Sequence, residues 1–318
     1  MTNRDDRPDI VLAHFNAQSL DPKEEIVKME LDRQGVTHAS FCETWLYKSR
    51  GLSCRRWIWE AGPEVQPGPE HRRAPRGMGT LTRRGCKAAV VHSSDNLMVS
   101  RLEVGHGDLP LYIVECHFPR STDTTGHKEL WGRIREVVKD YEEFGHIVLM
   151  GDFNAHTRAN GDKTEDTAGR RLRKEVAGMG LQVANFMAAC EGTHSFTAGT
   201  TIDYVCISQS LIRRVKKVKL GPFIGSDHKL VTLRLAGMEA EAHSPTDVRE
   251  VWRTENLPSD PESTKSFVGT FQAIMDDWIR QTGSHVAAME AIDIEAQRIA
   301  DIVEWSFQAA LDKGSSRP

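Results

Sequence analysis

Between Asp9 and Ala236 the apolar residues fall into short runs, most of them four to eight residues long and bounded by polar or Gly/Pro positions. Runs of this length read as strands of a buried sheet. Asp9–Asn16 is one such run, ending in a polar residue, and Ala39–Leu46 is a second, with a carboxylate near its end. Lys87–His92 and Leu97–Val104 read as a strand pair. Further strands are expected over Leu109–Phe118, from Ile147 into Asp152, over Thr201–Ile207 and over Leu230–Leu235. Helical spacing is rarer. It is found over Pro22–Gln34 (Ile26, Met29 or Glu30, Leu31), stopped by Gly35, over Gly126–Phe144 (Leu130, Ile134, Val137, Tyr141), and over Thr167–Gly178. The stretch Gly62–Gly79, rich in Pro, Gly and Arg, reads as a long exposed loop. Strands that outnumber helices and recur throughout predict an α/β fold: a four-layered sandwich of two packed β-sheets flanked by helices.

After Ala236 the texture changes. Residues 237–261 are polar with three prolines and read as a linker. Beyond them, Phe267, Phe271, Ile274 and Trp278, then Val286, Met289, Ile292, Ile299, Val303 and Phe307, form two amphipathic stripes. The division expected is a catalytic domain over 1–236, a linker over 237–261 and a short helical extension over 262–318. Charge follows the same boundary. The chain's formal net charge is −4; residues 237–318 hold 15 acidic and 7 basic residues, leaving the first 236 with 30 and 34. The basic residues cluster, as in Arg170–Lys174, Arg213–Lys219 and Arg72–Arg84, which favours a polyanionic partner. No apolar run approaches the roughly 20 residues of a membrane helix, so no membrane partner is expected. The polar, acidic N-terminus is unlike a signal peptide, and the six scattered cysteines lack metal-site spacing. A reducing nuclear or cytoplasmic compartment is the expectation.

The chemistry-bearing residues sit at the ends of the expected strands: Asn16, Glu43, His117, Asp152, Asn154, Asp203, Asp227 and His228. Carboxylates, carboxamides and a histidine are the groups that hold a hard divalent cation and move a proton in phosphodiester hydrolysis. His156 is read as structural, and His14 and His92 as ordinary surface or core histidines.

These residues arrive in segments with characteristic neighbours: Phe15-Asn16, Cys42-Glu43-Thr44-Trp45-Leu46, Gly151-Asp152-Phe153-Asn154-Ala155-His156, Ile202-Asp203-Tyr204-Val205 and Ser226-Asp227-His228. Over about residues 8–236 this order resembles the endonuclease/exonuclease/phosphatase superfamily, which includes DNase I. The Glu-Thr-Trp-Leu and Gly-Asp-Phe-Asn-Ala-His segments look most like the endonuclease domain of LINE-type (non-LTR) retrotransposons. His117-Phe118-Pro119 departs from the tyrosine many of those endonucleases carry and is similar to the histidine of DNase I-like members.

The resemblance implies a Mg²⁺-dependent DNA endonuclease, with Mn²⁺ able to substitute, acting on double-stranded target DNA. It implies a metal site of Glu43, Asn16 and Asp227. It implies His228, Asp152, Asn154, Asp203 and His117 as the catalytic set, with Asp203 fixing the His228 tautomer. Ser195 and Asn154 are implied in phosphate binding. It also implies a reverse transcriptase downstream in the same polyprotein, for which this chain is too short. Two alternatives remain at this point: a phosphatase of the same fold acting on inositol phosphates or lipid headgroups, and a catalytically silent nucleic-acid-binding module.

Overall fold

The computed structural model describes residues 8–46, 51–63, 77–192 and 194–242. Thirteen strands form two sheets among these residues. The seven-stranded sheet runs β10 (Cys190–Glu191), β12 (Val215–Phe223), β13 (Lys229–Leu235), β1 (Ile10–Asn16), β2 (His38–Cys42), β4 (Gly79–Arg83), β3 (Trp57–Ala61). The six-stranded sheet runs β5 (Ala88–Ser94), β6 (Leu97–Leu102), β7 (Leu111–His117), β8 (His146–Asp152), β11 (Asp203–Ser208), β9 (Leu181–Val183). Helix α1 (Glu24–Arg33) covers the outer face of the first sheet through Val27 and Leu31; α2 (Thr124–Tyr141) and α3 (Thr167–Gly178) cover the outer face of the second. The result is the expected four layers.

Alternation along the strands builds the layers and aims the site. On β1, Val11, Ala13 and Phe15 pack outward beneath α1, while Ile10 and Leu12 face the other sheet. His14 and Asn16 continue that inner row by the two-residue period. The same happens on β7, where Leu111 and Ile113 lead to Glu115 and His117, and on β8, where Val148 and Met150 lead to Asp152. Each inner row is apolar in the middle of the sandwich and polar at one end. Strands β1 and β2 run parallel, as do β7 and β8; β13 and β11 run antiparallel to them. The polar ends of the first four and the starts of the last two therefore meet along one edge of the sandwich.

Several expectations need correction. On α1 the buried face is Val27, Lys28, Glu30 and Leu31; Ile26 and Met29 point to solvent, 53% and 70% exposed. Val27 and Leu31, four residues apart, set the face that packs on the sheet, and Ile26 and Met29 fall off it. The second strand stops at Cys42, because Glu43 has left-handed backbone (φ 49°) and turns the chain. Strands β3, β4, β9, β10 and β12 were not anticipated. The basic cluster Arg213–Lys219 ends in β12, whose Lys217 and Lys219 alternate with buried Val218 and Leu220. Beyond Ala236, Met238 is fully buried and residues 239–242 bridge back to Cys86 and Val104. The two amphipathic stripes lie outside the described residues.

Candidate active site

A cleft of about 1100 Å³ opens along the polar edge, and Glu43, His117, Asp152, Asn154, Asp227 and His228 line it. The two sheets contribute alternately. Asp152 and Asp203 face each other in register on β8 and β11, and His117 pairs with Asp152 on the other side. Asn16, from the opposite sheet, donates its amide to Asp152 Oδ2 (3.1 Å) and to Glu43 Oε1 (3.3 Å). His117 Nε2 lies 3.3 Å from the same Glu43 oxygen.

His228 immediately precedes β13. Its Nδ1 donates to Asp203 at 3.0 Å (Oδ2) and 3.2 Å (Oδ1). That contact leaves Nε2 toward the cleft, 3.9 Å from Asp152 Oδ2 and 3.7 Å from Asp227 Oδ1. Ser226 locks the turn: its hydroxyl donates to the Asn16 carbonyl (2.8 Å) and accepts from the His228 backbone N–H (3.2 Å). The Phe196 ring packs 5.0 Å from the imidazole.

Backbone strain is concentrated here. Glu43 and Asn154 both have left-handed φ (49° and 46°), a conformation that costs non-glycine residues on the order of 1–3 kcal/mol. Neighbouring bonds hold each in place. The Glu43 carbonyl accepts from Ser19 N–H, and Asn154 N–H donates to Asp152 Oδ1 (2.9 Å). The Asn154 side chain is anchored on the Phe118 carbonyl (2.8 Å). Gly151 is required just before Asp152, because a Cβ there would collide with the Cys116 carbonyl on β7.

The two facing carboxyls are driven apart. Burial raises Asp152, and the charge of Asp203 raises it further. Burial also opposes ionisation of Asp203, but His228 and His14 outweigh it and hold its carboxyl below the usual carboxylate range. Burial alone would lower His228; Asp203, Asp152 and Asp227 instead push it up to about 9. At neutral pH the imidazole is thus a cation whose Nε2–H faces the cleft. Beside it sits a carboxyl with elevated proton affinity, an arrangement in which environment assigns acid and base roles.

Oxygen donors for a cation are also present. Asn16 Oδ1 and Asp227 Oδ1 are buried without a hydrogen-bond partner; the Asn16 side chain contacts the half-buried Glu43 carboxylate, and Asp227 lines the same cleft. Orphaned buried oxygens are costly unless something satisfies them, and carbonyl and carboxylate oxygens are what a hard divalent cation takes. The residues therefore fit such an ion. Asp152, Asp203 and His228 also bring ligand-type atoms within 4.8 Å of one another, as do His14, Cys42 and Glu115. In the second group both His14 nitrogens are engaged by carboxylates, and burial followed by nearby carboxylates keeps the Cys42 thiol protonated.

Two sequence expectations read differently in the structure. Ser195 is completely buried, and its hydroxyl accepts the backbone N–H groups of Ile202 and Asp203 (both 3.1 Å). It sets the start of β11 and does not reach the cleft. His14, read as ordinary, lies inside the site's supporting network, 3.2 Å from Asp203 Oδ1 and 2.7 Å from Glu115. Arg120, Arg133, Trp45 and Phe196, which also line the cleft, were not singled out. His156 is on the cleft wall, 3.4 Å from Asp162.

A family model described as endonuclease-reverse transcriptase matches residues 111–232. No curated protein matches the chain by sequence. Among solved structures, the endonuclease domain of TRAS1, a telomere-specific non-LTR retrotransposon, aligns at 14% identity with a TM-score of 0.55, covering 72% of this chain and 99% of that one. The AP endonuclease LMAP from Leishmania major aligns at 12% identity and TM-score 0.59, covering 74% and 91%. The 3′-5′ exonuclease NExo from Neisseria meningitidis aligns at 16% and 0.54, covering 71% and 100%. Taken with the two sheets and the order of polar strand ends, these matches give the chain the DNase I-like fold, and over residues 111–232 it is similar to the endonuclease-reverse transcriptase family.

Proposed function

We propose that the protein is a Mg²⁺-dependent DNA endonuclease that nicks double-stranded DNA, with Mn²⁺ able to replace Mg²⁺. The observation that carries this reading is His228, anchored through Nδ1 on Asp203, with its Nε2 3.9 Å from Asp152 Oδ2 across one cleft.

Asn16, Glu43 and Asp227 would hold the metal. When bound, Mg²⁺ neutralises charge on the scissile phosphate and on the leaving oxygen. The rest falls to the chain's own groups. His228 donates its Nε2–H to a phosphate oxygen, a charge-assisted bond that strengthens as charge develops. Asp152 takes the proton of the attacking water, a role suited to a carboxyl whose proton affinity is raised. Asn154, with its side chain fixed by Phe118, offers its remaining amide N–H to the pentacovalent phosphate. His117 holds Glu43 in place and reaches the same phosphate.

DNA as the substrate is supported by the net positive charge of residues 1–236, by Arg120 and Arg133 on the cleft wall, and by the nucleases that share the fold. A phosphatase of the same fold would need only a short cleft, whereas this one extends from Gln18 to the start of α2. The retrotransposon likeness supports a role in target nicking beside a reverse transcriptase. The test is cleavage of supercoiled plasmid, abasic duplex and inositol phosphate with Mg²⁺ and with EDTA. Nicked plasmid in Mg²⁺ only is the expected result; release of phosphate from the inositol substrate alone would replace this reading.

A further inference from the structure

Behind His228 the polar network does not stop at Asp203. Asp203 Oδ1 accepts from His14 Nε2 (3.2 Å), and His14 Nδ1 lies 2.7 Å from Glu115 Oε1. His14 and Asp203 are fully buried and Glu115 is 1% exposed. The four residues alternate between the sheets: His14 is on β1 and His228 immediately precedes β13 of the seven-stranded sheet, while Asp203 and Glu115 are on β11 and β7 of the six-stranded sheet. We infer that His14, backed by Glu115, is a positioning residue that fixes the Asp203 carboxylate against His228. The inference rests on the phosphodiesterase reading above.

Three physical points lead there. His14 has a carboxyl group against each ring nitrogen, so the ring cannot turn without losing both hydrogen bonds. Asp203 is consequently clamped between two imidazoles, His14 on β1 and His228 just before β13. Without His14, its side chain would have only His228 as an anchor and could turn about its last torsion, a broad one. Secondly, the pair occupies inner-row positions whose neighbours are Ile10, Leu12, Leu111 and Ile113. Apolar residues at such positions commonly give equal or greater stability than a buried ion pair. Stability alone therefore does not account for a histidine and a glutamate there. Thirdly, the Asn16 side chain that reaches Asp152 and Glu43 is two residues along the same strand. Fixing His14 thus fixes the strand that delivers part of the cleft's other half.

The test uses the full chain and two readouts: kcat and KM for plasmid nicking, and the downfield ¹H resonance of the His228 Nδ1–H. The double variant His14→Met/Glu115→Leu removes the pair as a unit and leaves no unpaired buried charge. It is expected to lose about 10- to 100-fold in kcat, as for other supporting-shell partners, with KM little changed and the His228 resonance shifted or broadened. His14→Gln/Glu115→Gln keeps an amide N–H where Nε2 was and is expected to recover most of kcat and return the resonance. If the Met/Leu variant does not fold, His14→Asn/Glu115→Gln, whose shorter amide reaches only toward position 115, reads the same loss. Wild-type kcat and an unmoved resonance in a folded variant lacking the donor would overturn the inference. Should the wild-type protein cleave no phosphodiester, the functional reading fails separately. The resonance then decides alone: moved in the donor-free variant it supports the positioning role, unmoved it overturns it.

Discussion

Asp152 and Asp203 stand directly opposite each other on adjacent antiparallel strands, yet one is pushed toward holding its proton and the other toward losing it. The difference lies in their partners. Asp203 accepts from two imidazoles, while Asp152 accepts from amide groups of Asn16 and Asn154 and carries the repulsion of its neighbour. Asp152→Asn should therefore remove the proton acceptor while keeping the Asn16 contact. Loss of a positioned acid–base group costs about 100- to 10,000-fold in rate. Plasmid nicking should fall by that factor with the melting temperature held or raised, since a buried, repelled carboxylate has been neutralised.

Metal dependence should be set by Glu43. Burial raises its carboxyl, but His117 and Asn16 more than compensate and keep it ionised. Glu43→Gln preserves shape and removes the charge that holds the cation. The Mg²⁺ concentration giving half-maximal nicking should rise at least tenfold, with DNA binding in EDTA unchanged. An unaltered Mg²⁺ titration would take Glu43 out of the metal site.

The His228–Asp203 pair also fixes a direction for pH dependence. An unfolded histidine titrates near 6.5, and His228 in the folded protein near 9. Its stabilising contribution is fully present below 6.5 and is lost as the pH rises through 9. The melting temperature in EDTA should fall between pH 7 and 10, and His228→Gln should flatten part of that fall. Nicking should decline over the same alkaline range as the Nε2–H is lost.

How much of this was legible beforehand depends on which residue is asked. Asp152, Asn154, Asp227 and His228 carry distinctive neighbours, and the apolar runs beside them locate the strand ends. The layers followed from the count of short runs. His14 and Glu115 sit inside apolar runs, where a single polar residue has no local signature; only the two-residue alternation from Ile10 through Leu12 to Asn16 places His14 on the site's face. Ser195 failed for the opposite reason, since its neighbourhood suggested a phosphate contact that burial forbids. β12 was hidden because its lysines read as a charge cluster, although Val218 and Leu220 alternate with them. Ile26 and Met29 are apolar but lie off the face that Val27 and Leu31 set, and apolar spacing over one short helix does not choose between the two faces.

Gly151 gives a test of the fold at the site. Gly151→Ala would drive a methyl group into the Cys116 carbonyl and separate β7 from β8. A loss of about 3 kcal/mol or more is expected, as for overpacking at a position with no room to shift. Urea unfolding would measure it; a change below about 1 kcal/mol would mean the strands can part without cost.

The division of the chain can be tested by length. A chain ending at His243 keeps Met238 and the bridges of residues 240 and 242, and should melt cooperatively and nick plasmid within a few-fold of the full protein. One ending at Ala236 exposes the surface Met238 covers and should lose roughly 1.5–3 kcal/mol. Equal stability of the two would show that residues 237–242 add nothing to the domain.

The most direct test of the central claim is a single comparison: conversion of supercoiled plasmid to nicked circles by wild-type protein and by His228→Gln, with Mg²⁺ and with EDTA. The account predicts nicking by wild type in Mg²⁺, none in EDTA, and a rate at least 100-fold lower for the folded variant. Equal nicking by both proteins, or nicking that persists in EDTA, would contradict it.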